Sequence, residues 1–151
     1  MIIIAVILIA GCLGMTIALR VMLHIYKEQN KELRKFKRNF LILYSWMDKK
    51  TQNRQIGDSL KKDNYLRIAI YGGGYLGRLL YKELIREEMP VIYFIDSSLE
   101  SSGFDVPIYR LEETLPEVDA IIVTVSAQFM QIKSQLEKRI DATIISIEDI
   151  I

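Results

Sequence analysis

Three glycines at the end of an apolar run are the residues of this chain whose types and spacing could do chemistry. Gly72, Gly74 and Gly77 fit the pattern G-x-G-x-x-G within RIAIYGGGYLGRLLYKEL, and Asp96 ends the next apolar run about 20 residues further on. Such glycines permit a tight turn, a close approach of a diphosphate to the backbone, and contact between helix and strand. The acidic residue accepts hydrogen bonds from ribose hydroxyls. The pattern therefore predicts a nucleotide site.

The same residues also have an interpretation without a ligand. Any strand–helix–strand unit needs a tight first turn, so the glycines could serve packing alone. Asp96 could equally cap the loop DSSLESSG that it begins, because serine and glycine favour a turn. We expect a bound nucleotide because the glycine pattern and the acidic residue agree in position.

A second group of residues predicts the other half of the site. Thr124, Val125 and Ser126 end a later apolar run and would border the same crevice where the strand order reverses. The two hydroxyl groups could instead cap the next helix. Both interpretations place the three residues at the same edge of a sheet as the glycines.

The residues after Asp96 bear on which nucleotide can bind. Ser97 follows it directly and joins the predicted site, and no arginine or lysine occurs before Arg110. An adenosine 2′-phosphate would therefore lie beside an uncompensated carboxylate. Like charges about 4 Å apart repel by roughly 4 kcal/mol per unit charge at an effective dielectric constant of about 20. We expect NADP to be disfavoured, and NAD or a uridine nucleotide to be accepted.

Alternating strand and helix patterns would position these residues. Short apolar runs rich in β-branched residues predict strands at 66–71, 91–96, 120–125 and 142–147, with a weaker edge strand at 106–109. Helical spacing between them predicts helices from Leu76, Leu80 and Leu84, and from Phe129, Ile132, Leu136 and Ile140. The alternation predicts an α/β fold, a Rossmann-like doubly wound, mostly parallel sheet of about five strands in the order 3-2-1-4-5.

The chain begins with an uncharged apolar segment, residues 2–19. At about 1.5 Å per residue, a helix of this length spans roughly 27 Å, close to the hydrocarbon thickness of a bilayer. The segment lacks the basic start and cleavage site of a secretory signal, and it is too uniformly apolar for a buried core helix. We therefore predict a transmembrane anchor at 1–26, a helical connector at 27–64 and a Rossmann-like nucleotide-binding domain at 65–151.

The charges that follow the apolar segment predict its orientation. Residues 20–38 contain seven lysines and arginines but only two glutamates, and the positive-inside bias places such a segment in the cytoplasm. This predicts a single-pass protein of the cytoplasmic (inner) membrane with a cytoplasmic C-terminal domain. The net charge of +1 argues against a nucleic-acid partner.

Within the connector, Phe36, Phe40, Leu43, Tyr44 and Met47 recur at spacings of three and four. This spacing predicts one apolar face of a helix, which we expect to pack on the following domain or on a partner helix. The stretch RQIGDSLKKDN then predicts a short helix and a turn before the first strand.

No catalytic or metal-binding constellation accompanies the glycine pattern. No tyrosine is followed four residues later by lysine, the proton-transfer pair of short-chain dehydrogenases and sugar epimerases. The only histidine, His24, lies at the predicted membrane boundary, and the only cysteine, Cys12, lies in the apolar segment. No Cys/His cluster could therefore hold zinc. We expect no chemistry from this chain alone.

Several stretches together resemble a nucleotide-binding Rossmann-like module of bacterial surface-polysaccharide biosynthesis proteins. They are RIAIYGGGYLGRLLYKEL, VIYFIDSS, VPIYRLEE, VDAIIVTVSAQFMQI and IISIEDII, with FLILYSWMDKKTQNRQIGDSL as a helical lead-in. The module is similar to the N-terminal domain of bacillosamine-type sugar acyltransferases and to modules fused to capsule glycosyltransferases. The C-terminal domain of sugar C-methyltransferases has a similar order of motifs. The resemblance covers about residues 36 to 151.

The resemblance implies a ligand and a set of contacts. In the acyltransferase family the glycine turn binds a uridine nucleotide sugar, which corresponds here to Gly72, Gly74, Tyr75 and Leu76, with Asp96 at the ribose. This chain lacks the left-handed helix and the catalytic histidine of the acyltransferases, so the resemblance does not imply their activity.

These observations together predict a membrane-anchored, cytoplasmic accessory module that binds a nucleotide or nucleotide sugar in bacterial surface-polysaccharide biosynthesis. Its partner would be a glycan-assembly protein or a second copy of itself. One alternative is a NAD-dependent sugar-nucleotide oxidoreductase or epimerase subunit whose catalytic residues lie on a partner. The other is a structural adaptor whose glycines hold no ligand.

Overall fold

A computed structural model describes residues 1–98 and 104–151, and for residues 5–10 it describes the backbone alone. Residues 99–103, part of the predicted loop after Asp96, lie outside the described residues. The chain divides into two compact units, Met1–Arg38 and Asn39–Ile151. One helix, α1 (Ile2–Thr51), makes up the first unit and begins the second. The connector predicted at 27–64 is therefore shared between the two units.

In the first unit, the described apolar side chains of α1 are exposed. Met15, Leu19 and Met22, for example, each expose more than half of their surface. Among the residues whose side chains are described, no helix combines the length and the apolar character needed to cross a membrane. The predicted anchor at 1–26 includes residues 5–10, whose side chains lie outside that set. The structure thus does not confirm the predicted transmembrane helix.

The second unit is built on a five-stranded parallel sheet in the order β3-β2-β1-β4-β5. The strands are β1 (Ile68–Tyr71), β2 (Val91–Ile95), β3 (Ile108–Tyr109), β4 (Ala120–Val123) and β5 (Thr143–Ser146). The predicted α/β class, parallel sheet and strand order are confirmed. The first strand begins two residues later than predicted, because the backbone N–H groups of Leu66 and Arg67 donate to the Asp119 carboxylate instead of entering the sheet.

Helices cover both faces of this sheet. The helices after α1 are α2 (Gly57–Lys62), α3 (Tyr75–Arg86), α4 (Phe129–Leu136) and α5 (Ile147–Ile150). Helices α1 and α2 end where Asn53 and Asn64 adopt positive φ angles of 54° and 60°, a left-handed conformation that asparagine tolerates. The described residues between β2 and β3, and between β3 and β4, form no helix.

Alternate residues of each strand divide the core between the two faces. Ile68 and Ile70 of β1 pack with α1, α2, α3 and α5 on one face, where the predicted helix residues Leu76, Leu80 and Leu84 are buried. Ala69 packs on the opposite face with Ile132 and Leu136 of α4. Sheet residues buried on both sides explain why the strand sequences are continuously apolar.

The apolar face of α1 that packs on the sheet differs from the predicted one. Ile42 and Trp46 are only 4% and 7% exposed, and they join the core beneath α2 and α3. The predicted face is exposed at every position, Phe36, Phe40, Leu43, Tyr44 and Met47. Of the two predictions for this face, packing on the following domain is therefore wrong, and packing on a partner helix stays a prediction. Lys50, on the buried side of the helix, forms an ion pair with Glu83 of α3 and fixes the orientation of this end of α1.

Candidate functional site

The first glycine of the motif forms the turn between β1 and α3. Gly72 has a φ of 93°, a conformation that side chains other than glycine rarely adopt. A Cβ atom there would lie 2.7 Å from Oγ1 of Thr124 and 2.8 Å from Cγ2 of Val125. The Gly72 N–H donates to the Ile95 carbonyl at 2.9 Å, which ties the turn to the end of β2. Backbone geometry and packing thus both require glycine at this position.

The third glycine is required by contact between the helix and the turn. Gly77 is buried in the first turn of α3. A Cβ atom at this position would overlap the carbonyl oxygen of Gly72. Glycine therefore allows α3 to lie directly against the turn, the role that the motif predicts.

The second glycine has no such requirement. Gly74 is exposed at the N-cap of α3, with φ and ψ of −65° and −164°, and a Cβ atom there would meet no described atom within 4 Å. Helix N-caps favour side chains that accept hydrogen bonds from the first N–H groups, and glycine supplies none. The first turn of α3 also contains no acidic residue. The N-terminus of α3 is therefore open at Gly74.

The structure brings Asp96 to the same turn. Its Oδ2 accepts a hydrogen bond from the Gly73 N–H at 2.8 Å. Its Oδ1 accepts bonds of 2.8 Å from both the N–H and the hydroxyl of Ser98. The carboxylate thus joins the end of β2 to the glycine turn and also begins the following loop. The loop cap predicted from the sequence is therefore observed, and the role of Asp96 at a ligand stays a prediction.

The end of β4 lies against the other side of the turn. Thr124 is buried, and its hydroxyl group approaches the carbonyl oxygens of Tyr71 and Gly72 at 3.0 and 2.9 Å, so it donates to the main chain of the turn. Val125 contacts the same turn through its Cγ2 side, and Ser126 is buried at the start of a 3₁₀ turn that precedes α4. The hydroxyl of Thr124 therefore holds the turn in place.

The remaining predicted site residues differ in exposure. The side chain of Tyr75 is 92% exposed at the start of α3, and Ser97 is exposed after β2. Leu76 is buried in the core on the α3 face of the sheet. Only the backbone of Leu76 can therefore face a ligand at the turn, whereas Tyr75 can offer both its backbone and its ring.

Two aromatic residues near the turn were missed by the sequence analysis. Burial raises the pKa of Tyr71, and the nearby carboxylates of Asp96 and Glu112 raise it further. Phe104 packs on Phe94, with 4.1 Å between the two ring centroids. The guanidinium carbon of Arg78 lies 5.0 Å from the centroid of the Phe104 ring. Tyr71 directly precedes the first glycine, which is a signal that could have identified it. Phe104 follows a polar loop and carries no such signal.

Two buried carboxylates lie at the opposite end of α3 from the glycine turn. Glu87 accepts hydrogen bonds from the N–H groups of Ile56 and Gly57 at 3.3 and 2.6 Å. Burial raises the pKa of Glu87. Burial also disfavours the charged form of Glu83, but hydrogen bonds and the charges of Lys50 and Arg86 outweigh it and lower the pKa of Glu83. The partners of Glu83 and Glu87 belong to α1, to α2 with its N-cap, and to α3, so these two carboxylates hold the three helices together.

Comparisons with protein-family models, with curated proteins and with solved structures give no match. The site must therefore be interpreted from its own geometry. In the part of the chain whose side chains are described, no three metal-binding side chains lie close enough to share an ion. What the site offers is an open helix N-terminus, a glycine turn and a carboxylate.

Proposed function

We propose that this chain is a nucleotide-binding accessory module with a Rossmann-like fold, and that the diphosphate of its ligand lies at the N-terminus of α3. The observation that carries the proposal is the difference among the three glycines. Packing explains Gly72 and Gly77, but no contact with a described residue explains Gly74. A glycine that the fold does not require, at the open start of a helix, is what a closely approaching phosphate requires.

The first turn of α3 supplies the groups that would bind the phosphates. The N–H of Arg78 donates to the Gly74 carbonyl at 2.9 Å, which is the first bond of the helical ladder. The N–H groups of Tyr75, Leu76 and Gly77 precede that bond, so they point out of the helix end. The positive end of the helix dipole lies at the same place and favours an anion.

Asp96 would select the nucleoside. In this proposal the ribose hydroxyls donate to its carboxylate, while the Gly73 N–H keeps the carboxylate at the turn. A 2′-phosphate beside this charge is repelled, so the ligand class is NAD or a uridine nucleotide sugar, and NADP is disfavoured. The resemblance of the motifs to polysaccharide-biosynthesis modules favours the uridine nucleotide sugar.

Calorimetry and thermal shift on the full-length chain test this proposal. The panel is UDP, a UDP-sugar, NAD and NADP. A ligand present at about 100 times its dissociation constant should stabilise the folded chain by about 2.7 kcal/mol. The variant Gly74→Val should abolish binding, because a branched side chain would occupy the space of the phosphate oxygens.

The matched control is Lys82→Val. Lys82 is exposed in the same helix, seven residues beyond its first residue Tyr75, so the branched side chain lies away from the helix N-terminus. This variant should bind nucleotide like the unmodified chain. Unchanged affinity in Gly74→Val, with binding retained in the control, would show that the ligand lies elsewhere.

A ligand-free structural adaptor is the second candidate, and one observation favours it. The Asp96 carboxylate already places an anionic oxygen 2.8 Å from the backbone nitrogen of Gly73 in the turn. The Asp96 carboxylate could thus be the anion that the turn binds, in place of a ligand phosphate. The adaptor predicts no stabilisation by any member of the panel, and it predicts that Gly74→Val leaves the association with its protein partner unchanged.

We also propose that residues 1–26 attach the module to the cytoplasmic face of a bacterial cytoplasmic membrane, as an accessory to surface-polysaccharide assembly. The uncharged apolar sequence of residues 2–19 and the basic residues that follow support this proposal. A reporter fused after Ile151 should be cytoplasmic, and the chain should fractionate with membranes. A periplasmic reporter, or a chain found wholly outside the membrane fraction, would contradict it.

A further inference from the structure

The exposed side of α1 carries a heptad repeat. Leu33, Phe36, Phe40, Leu43 and Met47 follow one another at alternating spacings of three and four residues. Their side chains are exposed, with Leu33 at 63% and Phe36 at 70%. We call these five residues the seam. In heptad notation they occupy positions a, d, a, d and a, and the repeat continues toward the N-terminus through Gln29 at d and Tyr26 at a.

The residues around the seam distinguish it from other apolar helix faces. From residue 27 to residue 39 the only apolar residues are Leu33 and Phe36, and every other position is polar or charged. A helix that lies on a core or on lipid shows a wider apolar face, whereas a strict a/d stripe is typical of a coiled coil. The side of α1 that packs on its own domain, at Ile42 in position c and Trp46 in position g, lies beside the a and d positions of the stripe.

The flanking charges indicate which helix fits the seam. Glu32 occupies position g and Lys37 occupies position e of the following heptad, five residues later. In a parallel, in-register pair of identical helices, position g of one chain faces that e position of the other. Glu32 of each copy would therefore face Lys37 of the other, which gives two opposite-charge pairs.

We propose that α1 forms a parallel, two-stranded coiled coil with α1 of a second copy of this chain through the seam. An identical helix thus covers the seam. This inference does not depend on nucleotide binding at the glycine turn.

Cysteine cross-linking of the full-length chain in a mild detergent tests the pairing. In a Cys12→Ser background, Leu33→Cys and Phe36→Cys should each give a disulfide-linked dimer on mild oxidation, because equivalent a and d positions adjoin in a parallel pair. The matched control is Lys31→Cys at position f, which is exposed on the opposite side of the helix and should stay monomeric. Cross-linking that is absent at both seam positions, or equal at Lys31, would overturn the proposal.

Exchanging the charges of Glu32 and Lys37 tests, independently of the cysteine variants, that the partner is a second copy of the chain and that the two helices are parallel. Glu32→Lys or Lys37→Glu alone should weaken the dimer about tenfold in sedimentation measurements, since each turns two attractive pairs into repulsive ones. The double variant restores opposite charges and should recover the affinity of the unmodified chain. A double variant as weak as either single one would overturn the parallel arrangement. A monomeric chain whose seam variants lose binding to anionic vesicles would show that lipid covers the seam instead.

Discussion

The Asp96 carboxylate accepts a 2.8 Å hydrogen bond from the backbone N–H of Gly73, so the acidic residue at the end of β2 is fixed to the glycine turn at the end of β1. The two strands are neighbours in the sheet, and their carboxyl ends meet at the same edge. One bond therefore places a negative charge beside the glycine turn, where the ribose of the proposed ligand would lie. The N–H groups that the proposal assigns to the phosphates are those of the first turn of α3.

The charge of Asp96 should control the discrimination between NAD and NADP. In the unmodified chain NADP should bind weaker than NAD by nearly three decades, from a repulsion of roughly 4 kcal/mol at about 4 Å. Asp96→Asn removes the charge and keeps an acceptor for Gly73, so the difference should shrink in calorimetric titrations. NADP binding to the unmodified chain as tightly as NAD and the uridine nucleotides would show that Asp96 does not face the ribose.

Substitutions of Gly74 and Gly77 should differ in how much they change the free energy of unfolding. Gly74→Ala should change the free energy of unfolding by no more than about 0.5 kcal/mol, because a Cβ atom there meets no described atom within 4 Å. Gly77→Ala should cost about 3 kcal/mol or more, because its Cβ overlaps the Gly72 carbonyl and α3 must move away. Urea denaturation measures both. A large loss in Gly74→Ala would mean that packing also requires this glycine.

The orientation of α1 can be tested through residues on its two sides. Trp46→Ala should destabilise the second unit by about 3 to 5 kcal/mol, because the indole is buried in the core. Leu41→Ala, exposed on α1 and outside the residues Leu33, Phe36, Phe40, Leu43 and Met47, is the matched control and should change stability by less than about 0.5 kcal/mol. Equal losses in urea denaturation would contradict the observed orientation of the helix.

Asp119 should contribute to stability in a pH-dependent way. Hydrogen bonds from the N–H groups of Arg67 and Leu66 hold the pKa of Asp119 below its ordinary value of 3.8. A carboxyl group whose pKa is lower in the folded chain stabilises the fold at pH values above its unfolded-state pKa. This contribution is lost as the pH falls through its folded-state pKa. Asp119→Asn should therefore unfold more easily than the unmodified chain at neutral pH. The difference between them should narrow below about pH 4 in denaturation curves, and a constant difference would contradict this account.

Local sequence patterns determined the sheet and the turn. Buried parallel strands must be apolar on both faces, and the helices between them must be apolar on one side. The runs at 66–71, 91–96 and 120–125 therefore predicted β1, β2 and β4, and the Leu76, Leu80 and Leu84 stripe predicted α3. The requirement for glycine at positions 72 and 77 is equally local. It depends on a backbone angle and on contact between a turn and the helix that follows it.

Only the tertiary structure decided which apolar residues of α1 are buried and what Thr124 does. The sequence offers two apolar faces on α1, and spacing alone cannot rank them, because both recur at helical intervals. Ile42 and Trp46 pack into the core, and the same side of α1 brings Lys50 to Glu83, a contact between residues far apart in sequence that no local pattern reports. Thr124 likewise donates to a turn some 50 residues away. The same packing showed that a Cβ atom at Gly74, unlike one at either of the other two glycines of the motif, would meet no described atom within 4 Å.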